Sequence, residues 1–315
     1  MGMKRIGRAL AALAPVLLTV TGCWAGETVG RPKVLGIAYV TFKATDLEKA
    51  KAFYGSELGL VSIERHRSPL SAGGAGSLDV IAASYVVNQD QRVELTKTAA
   101  GTEGSYLVEI GLATDDLAGM RRYLTAKGVP TDRIVTRRDG SRYFRLADPE
   151  GNKIVFVERK SGAGETGTAV AISHKLIHAG IIVKDATVEN RFYENVLGFH
   201  EYWHGGMKEG ETSWMAMQVP DGTDWIEYML RIPADADKHT RGVMYHISLG
   251  VPSVAEAAKE LGRRGFGGFE PPKIGKDGKW QLNLYDPDET RVELMEFVPV
   301  EKPCCSEFTG THPKP

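Results

Sequence analysis

The feature that most constrains this chain is that it repeats itself. Phe53-Tyr54-Gly55-Ser56-Glu57-Leu58-Gly59-Leu60 returns as Phe192-Tyr193-Glu194-Asn195-Val196-Leu197-Gly198-Phe199, and Asp148-Pro149-Glu150-Gly151 returns as Asp286-Pro287-Asp288-Glu289. The two pairs share one spacing to within a residue, so the chain carries two tandem copies of one unit. Its 315 residues leave room for two domains of about 130 residues, each large enough to bury a core.

Within each copy a shorter unit recurs, an apolar strand followed by a capped helix and then further strands. Val34 to Phe42 is rich in β-branched and aromatic residues, and Asp46 is placed to cap a segment with apolar residues at Leu47, Ala50, Phe53 and Tyr54, a helical face. Alternating runs at Leu60 to Arg65, Leu78 to Val87 and Arg92 to Thr96 complete a βαβββ unit. The second unit opens at Tyr106 to Ala113, has a helix from Asp116 to Lys127 ended by Gly128, and closes on Ile154 to Glu158. Unit three runs from Leu176 through a helix near Thr187 to Val196 to a strand at Trp225 to Leu230. Unit four runs from Val243 through the helix Ser253 to Arg264 to a strand at Arg291 to Phe297. The resulting expectation is an α+β protein: a first domain over 34–160, a linker over 161–170 that is rich in Gly and Thr, a second domain over 171–299, and a flexible tail over 300–315.

The first 22 residues read as an export signal, with Lys4, Arg5 and Arg8 ahead of an apolar run from Ala9 to Val20 that is too short to span a bilayer comfortably. Val20-Thr21-Gly22-Cys23 resembles a bacterial lipobox, which makes Cys23 the expected lipid anchor on a membrane surface. The alternative is cleavage near Ala25-Gly26, leaving Cys23 a free thiol. With the leader's basic residues set aside, the net charge of −1 becomes more negative, which speaks against nucleic acid as a partner. Cys304 and Cys305 are adjacent in a Pro-rich end and cannot staple the core. Besides a loose tail, they leave open an intermolecular disulfide or a metal-binding end with His312. Gly73-Gly74-Ala75-Gly76 precedes no helix start and carries no phosphate-binding pattern.

Four βαβββ units in two pairs, the Phe-Tyr…Leu-Gly helix ending and the Asp-Pro-Asp…Val-Glu-Leu strand resemble the vicinal-oxygen-chelate superfamily of glyoxalases, bleomycin-resistance proteins and ring-cleaving dioxygenases. The likeness covers about residues 34 to 298. It implies two glyoxalase/dihydroxybiphenyl dioxygenase-like domains, each with paired modules forming a U-shaped sheet. It also implies one divalent ion (Zn, Ni, Co, Mn or Fe(II)), held by ligands on the first and last strands of the modules, and a small-molecule substrate. Carried over residue by residue, the ligand positions in the second copy are His178, Glu227, His246 and Glu293, with Glu227 and Glu293 the candidate catalytic bases. In the first copy the same positions hold Tyr39, Glu94, Glu109 and Val155, so that copy is expected to be metal-free, a scaffold or a binding cleft.

The resemblance leaves two enzyme chemistries and one binding role. Isomerases of the family use four such donors and stabilise an enolate. Its extradiol dioxygenases use two His and one Glu, which His178, His246 and Glu293 would satisfy, but this chain has Glu227 and Asn283 where those enzymes have a His and a Tyr; Tyr285 lies two residues on along the same face. A sequestering protein would need only a cleft, for which Trp203, Trp214, Trp225 and Tyr228 are candidate walls, although aromatics so spaced in strands commonly serve the core. The oligomeric state is left open by the sequence.

Overall fold

The computed structural model describes residues 1–2, 30–63, 81–101, 106–137, 140–158, 167, 169–208 and 210–315. The export signal, Cys23, the Gly73 to Gly76 loop and most of the 161–170 linker lie outside the described residues. The first copy supplies β1 (Gly36–Ala44), β2 (Val61–Ile63), β3 (Ile81–Val86), β4 (Arg92–Lys97), β5 (Leu107–Ala113), β6 (Val135–Thr136), β7 (Arg142–Ala147) and β8 (Lys153–Glu158), which form one sheet in the order β2-β3-β4-β1-β5-β8-β7-β6. The second copy supplies β9 (Lys175–Ile182), β10 (His200–Gly205), β11 (Trp214–Gln218), β12 (Trp225–Met229), β13 (Ile247–Val251), β14 (Lys273–Ile274), β15 (Trp280–Tyr285) and β16 (Arg291–Glu296), in the equivalent order β10-β11-β12-β9-β13-β16-β15-β14. Each sheet is two βαβββ modules joined where their first strands pair antiparallel, β1 with β5 and β9 with β13.

One helix belongs to each module: α1 (Leu47–Lys51), α2 (Leu117–Ala126), α3 (Ala186–Tyr193) and α5 (Val254–Arg263). Each starts where its sequence signal placed it, with the side chain of Asp46, Asp116, Asp185 or Ser253 accepting from backbone N–H groups of the first turn. The repeated Leu-Gly pair ends the helical segment for a conformational reason: Gly59 and Gly198 take φ of +72° and +78°, a left-handed turn that glycine adopts without strain. Two features were not anticipated. Ala52–Glu57 continues α1 as a π-helical turn, and α4 (Lys238–Met244) precedes the fourth module, so Val243 belongs to a helix instead of opening a strand.

The helix faces meet in one core shared by both copies, where Phe53, Tyr54 and Leu58 join Phe192, Tyr193 and Leu197. Polar contacts between the copies come in reciprocal pairs. Tyr54 donates to Asp286 at 3.0 Å and Tyr193 to Asp148 at 3.1 Å. Thr45 N donates to Asp288 and Lys184 N to Glu150, both at 2.9 Å. Ile37 N donates to Asp224 at 2.9 Å, and Leu176 N to Gln91 at 2.8 Å. The duplicated sequence is thus expressed as a pseudo-two-fold assembly within one chain. Among the described residues no helix is long and apolar enough to cross a membrane.

The segment 300–315, expected to be a flexible tail, is packed against the second sheet. Trp203 Nε1 donates to Cys304 O, Thr309 N to Tyr202 O and Gln218 Nε2 to Thr311 O, while Phe308 lies 4.8 Å from the Tyr202 ring. Cys304 and Cys305 are bonded to each other. The pattern of small and polar residues hid this docking, because the segment pairs through its backbone and a few scattered side chains, Ser306, Phe308 and His312.

Candidate metal centre

Strand register brings the four expected residues of the second copy onto one face. His178 on β9 lies opposite Trp225 on β12 and Ser248 on β13, and Ser248 lies opposite Glu293 on β16. One step along, Glu227 lies opposite Gly180, and Gly180 N donates to the carbonyl of His246. Gly180 has a steric purpose, because a Cβ there would sit 2.1 Å from the His246 ring; its absence lets the imidazole lie across β9.

The donors converge. His178 Nε2 and His246 Nε2 are 3.0 Å apart. Glu227 Oε2 lies 3.3 Å from His246 Nε2 and 3.7 Å from His178 Nε2, and these three residues form a possible cation-holding cluster. Glu293 Oε2 lies 3.4 Å from His178 Nε2 but stands outside that cluster of three. Donors bound to one ion at about 2.0–2.2 Å stand roughly 3 Å apart, so the spacing fits a divalent cation, as does the donor set of imidazoles and carboxylates.

Burial favours the neutral form of both imidazoles. Both histidines are fully buried, and burial is the main cause holding each well below the ordinary imidazole pKa. His246 Nδ1 lies 2.9 Å from Met244 O, a carbonyl that can only accept, so the proton sits on Nδ1 and the Nε2 lone pair faces the cluster. Arg291 Nη2 occupies that lone pair at 2.7 Å. Burial pushes Glu293 up to about 7, with Arg291 opposing and Glu227 and Asp277 reinforcing the rise.

The alternative acid–base candidates are engaged elsewhere. Asn283 lies opposite Glu293 but donates to Glu270 at 3.2 Å, and Tyr285 donates to the same carboxylate at 2.7 Å. The aromatic candidates divide. Trp225 stacks near His178, with ring centroids 4.8 Å apart, and clusters with Trp203, Tyr202 and the half-buried Trp214, whereas Tyr228 faces the shared core. Lys279 was missed by sequence reasoning. It is fully buried, its Nζ lying about 5 Å from the Trp225, Tyr202 and Phe308 rings, and burial pushes it down to about 8 against the pull of Asp277. Its position just before β15, two residues from Gln281 and four from Asn283, was the available signal.

In the first copy the register reproduces the arrangement with different chemistry. Tyr39 lies opposite Gly111, which lies opposite Val155, and Glu94 and Glu109 flank Thr41. Tyr39 donates to Glu109 at 3.0 Å, Arg145 Nε donates to Glu109 at 2.8 Å and Arg137 donates to the Tyr39 hydroxyl at 3.1 Å. Arg145 stands opposite Val155, as Asn283 stands opposite Glu293. Two guanidinium groups therefore supply the positive charge this cleft needs.

Solved structures similar to this chain include the 2,3-dioxygenase LapB from Pseudomonas sp. KL28 (TM-score 0.63, 16% identity, covering 91% of this chain and 96% of that one). Homoprotocatechuate 2,3-dioxygenase from Brevibacterium fuscum in complex with 3,4-dihydroxyphenylacetate aligns at TM-score 0.56 and 20% identity, covering 90% of this chain and 85% of that one. The enzyme of the same name from Arthrobacter globiformis aligns at 0.59 and 16%, covering 86% and 82%. At such identities the likeness establishes the fold. No curated protein sequence matches the chain. The family profile of the Glyoxalase/Bleomycin resistance protein/Dioxygenase superfamily matches residues 36–156 and 175–294, once over each copy, and with two paired-module sheets built on those same residues the chain belongs to that superfamily.

Proposed function

We propose that the second copy is a metal-dependent active site of glyoxalase-like type, acting on a small molecule with two neighbouring oxygens, and that the first copy is its scaffold. The observation that carries this reading is the convergence of two buried imidazoles and one carboxylate, His178, His246 and Glu227, with Glu293 beside His178. His178, His246, Glu227 and Glu293 would hold one divalent ion, which when bound polarises a carbonyl and stabilises the enolate next to it. Glu227, the more exposed of the two carboxylates, would take a proton from the carbon beside that carbonyl and return it to the neighbouring one. Trp225, packed against the His178 ring, would form an apolar wall on that side.

The test is metal content of the protein lacking residues 1–23, beside His178→Ala and Glu293→Ala. Stoichiometric metal in the wild type and its loss in both variants supports the reading; equal metal in all three overturns it. A second reading, a ring-cleaving dioxygenase using His178, His246 and Glu293, is favoured by the fold shared with the 2,3-dioxygenases. Oxygen consumption with Fe(II) and a catechol panel would establish it over proton transfer, whereas solvent-deuterium incorporation without oxygen uptake supports the isomerase chemistry. We further propose that the protein acts outside the cytoplasm on a lipid attached to Cys23, so Cys23→Ala should release it from membranes.

A further inference from the structure

The last sixteen residues run across the second sheet from one edge to the other. At one end Val300 N donates to Gly278 O and Cys304 N to Lys276 O, both at 2.8 Å, in the turn between β14 and β15. At the other end His204 N donates to Ser306 Oγ at 2.9 Å and Thr309 N to Tyr202 O at 3.0 Å, both on β10. Since β14 and β10 are the two edge strands of that sheet, the segment spans the mouth of the curved sheet. It continues along β11 to Thr311, whose carbonyl accepts from Gln218, and His312, whose Nδ1 meets the Tyr202 hydroxyl.

Beneath it lies Lys279, completely enclosed, with Phe308 forming one wall of its aromatic surround and Tyr202 and Trp225 the others. Trp225 in turn packs against His178, so the segment is one residue layer from Trp225 and two from the candidate metal centre. The chain changes direction between its two anchor points at the bonded pair Cys304 and Cys305. Cys305 takes φ of +73°, a conformation costly for a residue with a side chain and persisting only where the surroundings impose it. A disulfide between adjacent cysteines closes a small ring around their shared peptide. That ring is a local constraint of the required kind.

We propose that residues 300–315 form a redox-latched strap: with Cys304 and Cys305 bonded the strap closes the outer end of the second cleft over Lys279, and reduction of that bond releases it. A dithiol reductant supplies two electrons and two protons; the Sγ–Sγ bond breaks, two thiols form and the reductant leaves as a disulfide. The released backbone regains the freedom that favours leaving the left-handed conformation at Cys305. The proposal stands whether or not the centre holds a metal.

The experiment is amine acylation of the full chain, followed by peptide mass analysis, with the exposed Lys49 and Lys127 as internal references. It compares oxidised protein, protein treated with dithiothreitol, the Cys304→Ser/Cys305→Ser variant and the Phe308→Ala variant. The strap predicts that Lys279 in the oxidised protein is protected, and that it reacts at least tenfold faster after reduction and in the serine variant, with Lys49 and Lys127 unchanged. Phe308→Ala should expose Lys279 in either redox state. Exposure in Phe308→Ala without exposure on reduction would overturn the latch, and protection of Lys279 in all four samples would overturn the strap as its cover.

Discussion

Arg291 donates from Nη2 to His246 Nε2 at 2.7 Å, placing a fixed positive charge on the nitrogen that also faces His178 and Glu227. A divalent ion binding there must displace the guanidinium, and the lost charge-assisted hydrogen bond is worth roughly 1.5–3 kcal/mol. Arg291→Gln should therefore tighten metal binding by about ten- to a hundredfold. Competition against a chelator of known affinity would read the change directly, and unchanged affinity would show that the arginine does not contest the site.

The first cleft makes the complementary prediction. Glu109 is buried and Arg145 is its closest charged partner, at 2.8 Å, so Arg145→Ala leaves a carboxylate without that charge in a low-dielectric setting. Breaking such a pair by removing one partner costs about 3–5 kcal/mol. Chemical denaturation should show that loss, and pairing the change with Glu109→Gln should recover most of it.

Glu189 gives the pH dependence. It is buried beside Asp148 and Glu150, and burial, reinforced by Asp148, raises it to about 8, against an unfolded value of about 4.3. Between those values the folded state holds the proton while the unfolded state has lost it, so stability falls as pH rises through that window. Urea midpoints should decline from pH 5 to 8 in the wild type. In Glu189→Gln, which keeps the oxygen accepting from Glu150 N, the decline should be shallower, the remainder coming from other buried carboxyls such as Glu293.

The reciprocal tyrosines test whether the copies fold as one. Tyr54→Phe removes the donor to Asp286, whose buried carboxyl then lacks it, at a cost of about 1–3 kcal/mol. Because α1 and the Asp286 turn belong to different copies, the whole thermal transition should move down together. Two resolved transitions, only one of them shifted, would contradict a shared core.

The fold was legible in the sequence because the signals were local and doubled: Asp46 and Ser253 at helix starts, Gly59 and Gly198 as helix stops, and strands whose alternation survives in both copies. That His178, Glu227 and His246 come together was legible for the same reason, since the register that pairs β9 with β12 and β13 follows from the family pattern. What was not legible depended on side chains reaching across elements. Arg291 and Arg145 read as ordinary strand residues until their partners were known, and Lys279 is recognisable only once Trp225, Tyr202 and Phe308 surround it. Docking of the C-terminal segment escaped detection because backbone pairing to Tyr202 and Lys276 leaves no periodic mark.

The paired contacts between the copies carry one last consequence. Were these domains separate chains assembling as a symmetric dimer, every substitution would strike both clefts at once, and both would carry the same residue at the position of Tyr39 and His178. Joined in one chain, each cleft mutates alone while the packing partner is always present in equal amount. The first copy can thus hold Tyr39 where the second holds His178 while the contacts between the copies are kept.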